Sequence, residues 1–190
     1  MPKLYFRYGV MNSSKTANLL MVAHNYTQQD KKILLLKPCL DTRYKQTSIT
    51  SRIGIEKEVD ILLEDDTDLL QLDLDLIQCI LVDECQFLTS KHVDQLRILT
   101  LKVPVICYGL RTDSATNLFE GSKRLMELSD SIEEIKSTCS VCDKKAIVNA
   151  KYILDDEIDR KIIVKTIENQ IDIGAEDKYT ALCWQCWNKA

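Results

Sequence analysis

Glycine and proline are scarce in this chain, five and three residues among 190. Long flexible linkers therefore find little room, and collagen-like or disordered organisation is excluded by composition. No internal repeat or low-complexity tract is visible. Apolar runs are also short: none approaches the roughly 20 residues that a membrane-spanning helix needs. The opening Met1-Pro2-Lys3-Leu4-Tyr5-Phe6 is too short and too soon broken for a signal peptide, and reads as the first strand of the fold. Basic charge is in deficit, with 25 Lys and Arg against 29 Asp and Glu and a net charge of −4. That is the wrong sign for a protein that lives on phosphate backbones. The expectation is a cytoplasmic protein with neither a membrane nor a nucleic acid as partner.

What remains is ordinary globular material, 45% apolar and 28% charged. A chain of this length buries most of its apolar surface without crosslinks and forms one domain, or one with a small appendage. Eight cysteines in such a chain are reduced thiols or metal ligands rather than disulfides. Cys39, Cys79, Cys85 and Cys107 lie beside apolar stretches and read as small buried hydrophobes. Cys139, Cys142, Cys183 and Cys186 form two Cys-x-x-Cys pairs near the end.

Three apolar runs read as strands covered on both faces: residues 32–37, with Ile33-Leu34-Leu35-Leu36; Cys79-Ile80-Leu81-Val82; and residues 103–110, ending at Gly109. Two stretches of helical spacing alternate with the strands, one before the first run and one between the second and third. From Lys15 to about Gln28 the apolar positions are Leu19, Leu20, Val22, Ala23 and Tyr26. From Ser90 to Leu101 they are Val93, Leu96, Leu99 and Leu101, with Ser90 as the N-cap. Buried strands alternating with helices predict an α/β fold, a parallel sheet flanked by helices. Residues 60–75 hold seven acidic side chains and no basic one, and read as a solvated face or an acidic docking surface.

Gly9-Val10-Met11-Asn12-Ser13-Ser14-Lys15-Thr16 follows a strand and opens a helix, the context that the phosphate-cradling pattern G-x-x-x-x-G-K-[ST] requires. Backbone N–H groups there point at phosphate oxygens, Lys15 neutralises them, and the Thr16 hydroxyl holds Mg²⁺. The pattern is broken at Ser14, whose Cβ would crowd the phosphates; the plain alternative is a capped helix start. Cys79-Ile80-Leu81-Val82-Asp83 ends in a carboxylate as a Walker B strand does, which makes Asp83 a candidate Mg²⁺ ligand. Glu84 follows where it can accept a proton from an attacking hydroxyl. A surface turn is the alternative for the acidic pair alone. The two Cys-x-x-Cys pairs are the usual source of four thiolates for tetrahedral Zn²⁺. Neither carries a substrate-activating His or carboxylate, so the site is closed and structural; unliganded thiols or redox pairs are the alternative. The stretch between them, residues 143–182, exceeds that of a compact zinc ribbon and must contain a hairpin.

With these pieces in order, the chain resembles the type II, zinc-containing cytosolic thymidine kinases from Leu4 to about Trp187. The resemblance rests on residues 9–16; Asp41-Thr42-Arg43-Tyr44; Ser51-Arg52-Ile53-Gly54; Asp83-Glu84-Cys85-Gln86-Phe87-Leu88; Tyr108-Gly109-Leu110-Arg111-Thr112-Asp113; both cysteine pairs; and Ile173-Gly174 with Tyr179. It implies a P-loop nucleotide-binding α/β domain over 1–136, a zinc-held lasso domain over 137–190, and transfer of phosphate from Mg-ATP to the 5′-hydroxyl of thymidine or deoxyuridine in nucleotide salvage. Glu84 matches the general base. Gly9, Val10, Met11, Asn12, Ser13, Ser14, Lys15, Thr16, Asp41, Arg43, Asp83 and Gln86 match the ATP site. Met11, Phe87, Leu110, Ser114, Phe119, Gln170, Ile171, Asp172, Ile173, Gly174 and Tyr179 match the nucleoside pocket and its lasso. A homotetramer inhibited by dTTP is implied in the same way. The chain departs from the family pattern at Ser14, at Ser114 (usually Phe) and at Ala175 (usually Gly). Two other readings stand beside this one: a P-loop ATPase that hydrolyses without transfer, and a zinc-ribbon nucleic-acid module, against which the negative charge counts.

Overall fold

In a strand, successive side chains point to opposite faces, so each continuous apolar run feeds two cores at once. The computed structural model describes residues 1–39, 47–52, 54–155, 160–165 and 178–190. In chain order its elements are β1 (Leu4–Tyr8), α1 (Lys15–Thr27), β2 (Lys32–Pro38), β3 (Ser48–Thr50), β4 (Glu56–Glu58), β5 (Ile61–Leu63), β6 (Ile77–Val82), α2 (Ser90–Leu99), β7 (Val105–Gly109), α3 (Glu120–Leu128), β8 (Ser131–Glu134), β9 (Val148–Asp155), β10 (Arg160–Val164), β11 (Tyr179–Leu182) and α4 (Trp184–Lys189).

Six strands form one parallel sheet in the order β5-β2-β6-β7-β1-β8. Along β6, Cys79 and Leu81 enter one core while Ile80 and Val82 enter the other. Along β7, Ile106 and Tyr108 part from Val105 and Cys107 in the same way. The first core is closed by Leu19, Leu20 and Ala23 of α1. The second is closed by Val93, Leu96 and Leu99 of α2 and Leu125 of α3, whereas Leu101 lies past the end of α2 and is exposed. This is the α/β fold that the alternating runs imply. Cys79, Cys85 and Cys107 are buried as small hydrophobes, while Cys39 is half-exposed. The N-cap of α2 is Thr89 rather than Ser90. The Thr89 hydroxyl accepts the His92 N–H and leaves Ser90 as the first helical residue, because a cap needs extended backbone, which Thr89 has.

After β8 the chain leaves the large sheet. β9 pairs antiparallel with β10 and β11, so a hairpin does lie between the cysteine pairs. Val148, Ala150, Leu182 and Trp187 make a small core around Cys139 and Cys183. This unit meets the loop after β1 through Val10, packed on Ala146 and Ala181. No helix among the described residues is long and apolar enough to cross a membrane.

Leu81 is fully buried in the centre of the sheet. Leu81→Ala should destabilise the protein by roughly 2–5 kcal/mol through lost burial and a residual cavity. Urea denaturation measures it as a lower midpoint at unchanged slope.

Candidate functional site

In an open parallel sheet, ligand sites form outside the carboxyl ends of the strands. Here β1, β7 and β6 end side by side, and each is followed by a loop bearing reactive residues. The loop after β1, residues 9–14, turns sharply into α1. Asn12 and Ser14 are both left-handed, with φ of 64° and 62°. Ser14 occupies the N-cap of α1 without a side-chain hydrogen bond, and no acidic residue stands in the first turn. The first amides of a helix have no acceptor within it, and the start of α1 is therefore a place where N–H groups and the helix dipole favour an anion. The buried Ser13 hydroxyl has no partner. Gly9 is required by close approach: a Cβ there would lie 2.3 Å from Ser13 Oγ and 2.6 Å from the Ile135 carbonyl oxygen.

Lys15, the first residue of α1, is buried and donates from Nζ to the Val10 carbonyl at 2.8 Å. One residue on, the Thr16 hydroxyl donates to Asp83 Oδ2 at 3.4 Å. Asp83 follows β6 and is 4% exposed. Burial, aided by the neighbouring Glu84 carboxylate, pushes its pKa up to about 7, against the opposing pull of Lys15 and Lys37. Lys37, near the end of β2, is also buried. Sequence reasoning missed this lysine, whose only signal is a cation closing an apolar strand.

Glu84 has a left-handed backbone (φ 50°) at the start of the short 3-10 turn Cys85–Phe87. Non-glycine residues held in that region concentrate at functional sites. Its Oε2 accepts from Gln86 Nε2 at 2.5 Å, and Gln86 Oε1 accepts the Leu110 N–H at 3.0 Å. Both ends of the Gln86 amide are thus used to tie Glu84 to the end of β7. Gly109 makes room for this link, since a Cβ there would meet Gln86 Oε1 at 2.5 Å and Cys85 Sγ at 2.7 Å. Burial raises the Cys85 thiol well above its ordinary range, which leaves it a packing residue.

On the far side, Leu110 and Phe119 are buried and Phe87 is half-buried. Phe87 and Phe119 meet edge to face, their ring centroids 5.9 Å apart. The intervening loop is held by Asp113 Oδ1, which accepts the N–H groups of Ala115 and Asn117, and Ser114 is buried within it. Tyr179 opens β11, in register with Lys151 of β9. Asp41, Arg43, Gln170, Ile171, Asp172, Ile173 and Gly174 lie outside the described residues.

The thiols of Cys139, Cys142, Cys183 and Cys186 lie within 4.8 Å of one another. Cys142 Sγ is 3.7 Å from Cys183 Sγ and 3.6 Å from Cys186 Sγ. A tetrahedral ion with metal–sulfur bonds of about 2.3 Å sets its sulfurs ~3.8 Å apart, so these four thiols fit such an ion and can hold a structural metal.

A family profile described as thymidine kinase matches residues 2–187. The thymidine kinase of Enterobacteria phage T4 is 43% identical over 100% of this chain and 97% of its own. That of Streptococcus agalactiae is 42% identical over 96% and 95%, and that of Chromobacterium violaceum 40% over 99% of each. With a match of this extent and identity, the chain belongs to the thymidine kinase family.

Proposed function

We propose that the protein transfers the γ-phosphoryl group of Mg-ATP to the 5′-hydroxyl of thymidine, and of deoxyuridine, in nucleotide salvage. The observation that carries this reading is the convergence of Lys15, Thr16, Asp83 and Glu84 at the carboxyl ends of β1 and β6. Residues 9–16 serve as the phosphate loop: the helix start, which has no side-chain cap, and the partnerless Ser13 hydroxyl supply donors, and Lys15 supplies charge. Thr16 and Asp83 would hold Mg²⁺, which when bound would supply neutralisation of charge on the transferring group. Glu84 takes the proton from the 5′-hydroxyl as it attacks phosphorus, and the bond to the leaving ADP oxygen breaks. Gln86 supports the step from inside the protein by holding Glu84, while Asp41 and Arg43 are assigned beside the phosphate donor by likeness to the family.

The nucleoside is assigned to the pocket of Met11, Phe87, Leu110, Ser114 and Phe119. Residues 170–174 and Tyr179 form the lasso that reads the base through main-chain groups, again by likeness. A site built on such donor–acceptor pairing rejects a mismatched base strongly, whereas one methyl is worth about 1 kcal/mol. Deoxyuridine is therefore accepted and deoxycytidine refused. Zinc on the four cysteines supports this side of the molecule without chemistry of its own. A homotetramer in the cytoplasm, inhibited by dTTP, completes the reading by likeness alone.

Labelled thymidine and deoxyuridine should be phosphorylated at saturating Mg-ATP, with kcat/KM for deoxycytidine lower by roughly 10⁴. In the same assay Glu84→Gln, which keeps shape and removes the base, should lower turnover by about 10² or more with ATP binding intact. Near-wild-type turnover in that variant, or equal use of deoxycytidine, would remove the corresponding assignment.

Metal analysis should find about one Zn²⁺ per chain. Chelation or Cys139→Ser should raise KM for thymidine before it alters ATP binding. Protein purified without chelators and free of zinc would reject the site.

Ser14 is an L-residue held left-handed, a conformation that disfavours it by roughly 1–2 kcal/mol relative to glycine. Ser14→Gly should raise the melting temperature and tighten ATP binding modestly, with nucleoside preference unchanged. Weaker ATP binding in that variant would mean that the Ser14 hydroxyl itself donates to phosphate.

A further inference from the structure

We infer that Asn149 is a positioning residue that locks the phosphate loop and the nucleoside-side loop in register, so that the two reacting groups meet. The inference rests on the assignment of residues 9–16 to the phosphate donor made above.

Asn149 is the second residue of β9, in register with Ala181 of β11, and is 4% exposed. Its Oδ1 accepts the Met11 N–H at 2.7 Å, and its Nδ2 donates to the Thr112 carbonyl at 3.2 Å. The partners fix which end of the amide is which, because one is a donor and the other an acceptor. Met11 lies in the loop between β1 and α1. Thr112 lies in the loop between β7 and α3, two residues after Leu110 and directly before the turn that Asp113 holds around Ser114. One side chain from the cysteine-bearing unit thus spans the two loops that approach the reaction from opposite sides.

Beside it, this seam carries the apolar contact of Val10 with Ala146 and Ala181 and, at its exposed margin, the ion pair of Lys145 with Glu134 at the end of β8. Small apolar surfaces exclude water but tolerate sliding, whereas a pair of hydrogen bonds from one planar group fixes distance and direction. Because the Met11 N–H is donated to Asn149, it is withdrawn from the set of amides that face the phosphate. No single-residue motif announces this role; Asn149 follows the second cysteine by seven positions in an otherwise apolar stretch. Phosphoryl transfer is governed by positioning, and a misplacement of about 1 Å can lower the rate by about 10².

The test uses the full-length, metal-loaded enzyme. Asn149→Ala leaves a buried N–H and a buried C=O unpaired; Asn149→Asp keeps size and the acceptor for Met11 but has no donor for Thr112 when ionised. For both, kcat with thymidine at saturating Mg-ATP should fall about 10- to 100-fold. The dissociation constants of ATP alone and of thymidine alone should move by less than about threefold, since each loop keeps its own ligands. Metal content should stay at the wild-type level. If the Ala variant does not fold, the near-isosteric Asp variant decides the matter. A folded variant with kcat within about twofold of wild type overturns the inference. So does a loss that resides wholly in KM, or failure of both variants to fold, which would make Asn149 a residue of stability alone. A wild-type enzyme that does not phosphorylate thymidine would instead overturn the proposed function, so the two failures are distinct.

Discussion

Charges removed from water must find partners or give up their ionisation. At the carboxyl edge of this sheet Lys15, Lys37 and Asp83 are all buried within one small region, and the local structure follows from that constraint. Asp83 leaves β6 next to β7, and Thr16 and Lys15 come to it from the start of α1 because β1 lies on the other side of β7. Burial and the adjacent Glu84 carboxylate raise Asp83 to about 7, with the two lysines opposing them. In the folded protein burial thus works against ionisation of Asp83, and the two lysines work for it.

The same edge concentrates unfavourable backbone. Asn12, Ser14 and Glu84 are non-glycine residues at positive φ within a few residues of the buried charges. Such conformations persist only where the surroundings over-determine them, and here two strand ends, the helix start and the Gln86 link do so. The link is economical in structure: one carboxamide binds Glu84 at one end and the Leu110 N–H at the other. Gly109 leaves space for it where any side chain would intrude.

The cysteine-bearing unit stands outside the large sheet, yet it is fastened to the reactive edge by Val10, Ala146 and Ala181 and by Asn149. Four clustered thiols could hold a structural metal at the centre of that unit, whose own apolar core is small.

Much of this was legible in the residues alone. Apolar runs 32–37, 79–82 and 103–110 carry their own burial, and two-faced burial with helical spacing between the runs admits few folds other than a parallel sheet under helices. Four cysteines in two close pairs mark a possible metal site by coordination chemistry, and Gly9 to Thr16 with Asp83-Glu84 mark candidate site residues by type and order. Local spacing determines such things because the groups act through near neighbours. Tertiary structure alone decided the rest. Ser14 reads as a steric intrusion in sequence, and only the backbone reveals it as a left-handed residue. Gln86 reads as a ligand, and only the fold turns both ends of its amide inward. Lys37 and Asn149 belong to no motif, since their partners lie in other segments of the chain and become neighbours only when β2 pairs with β6 and β9 closes against the loops after β1 and β7.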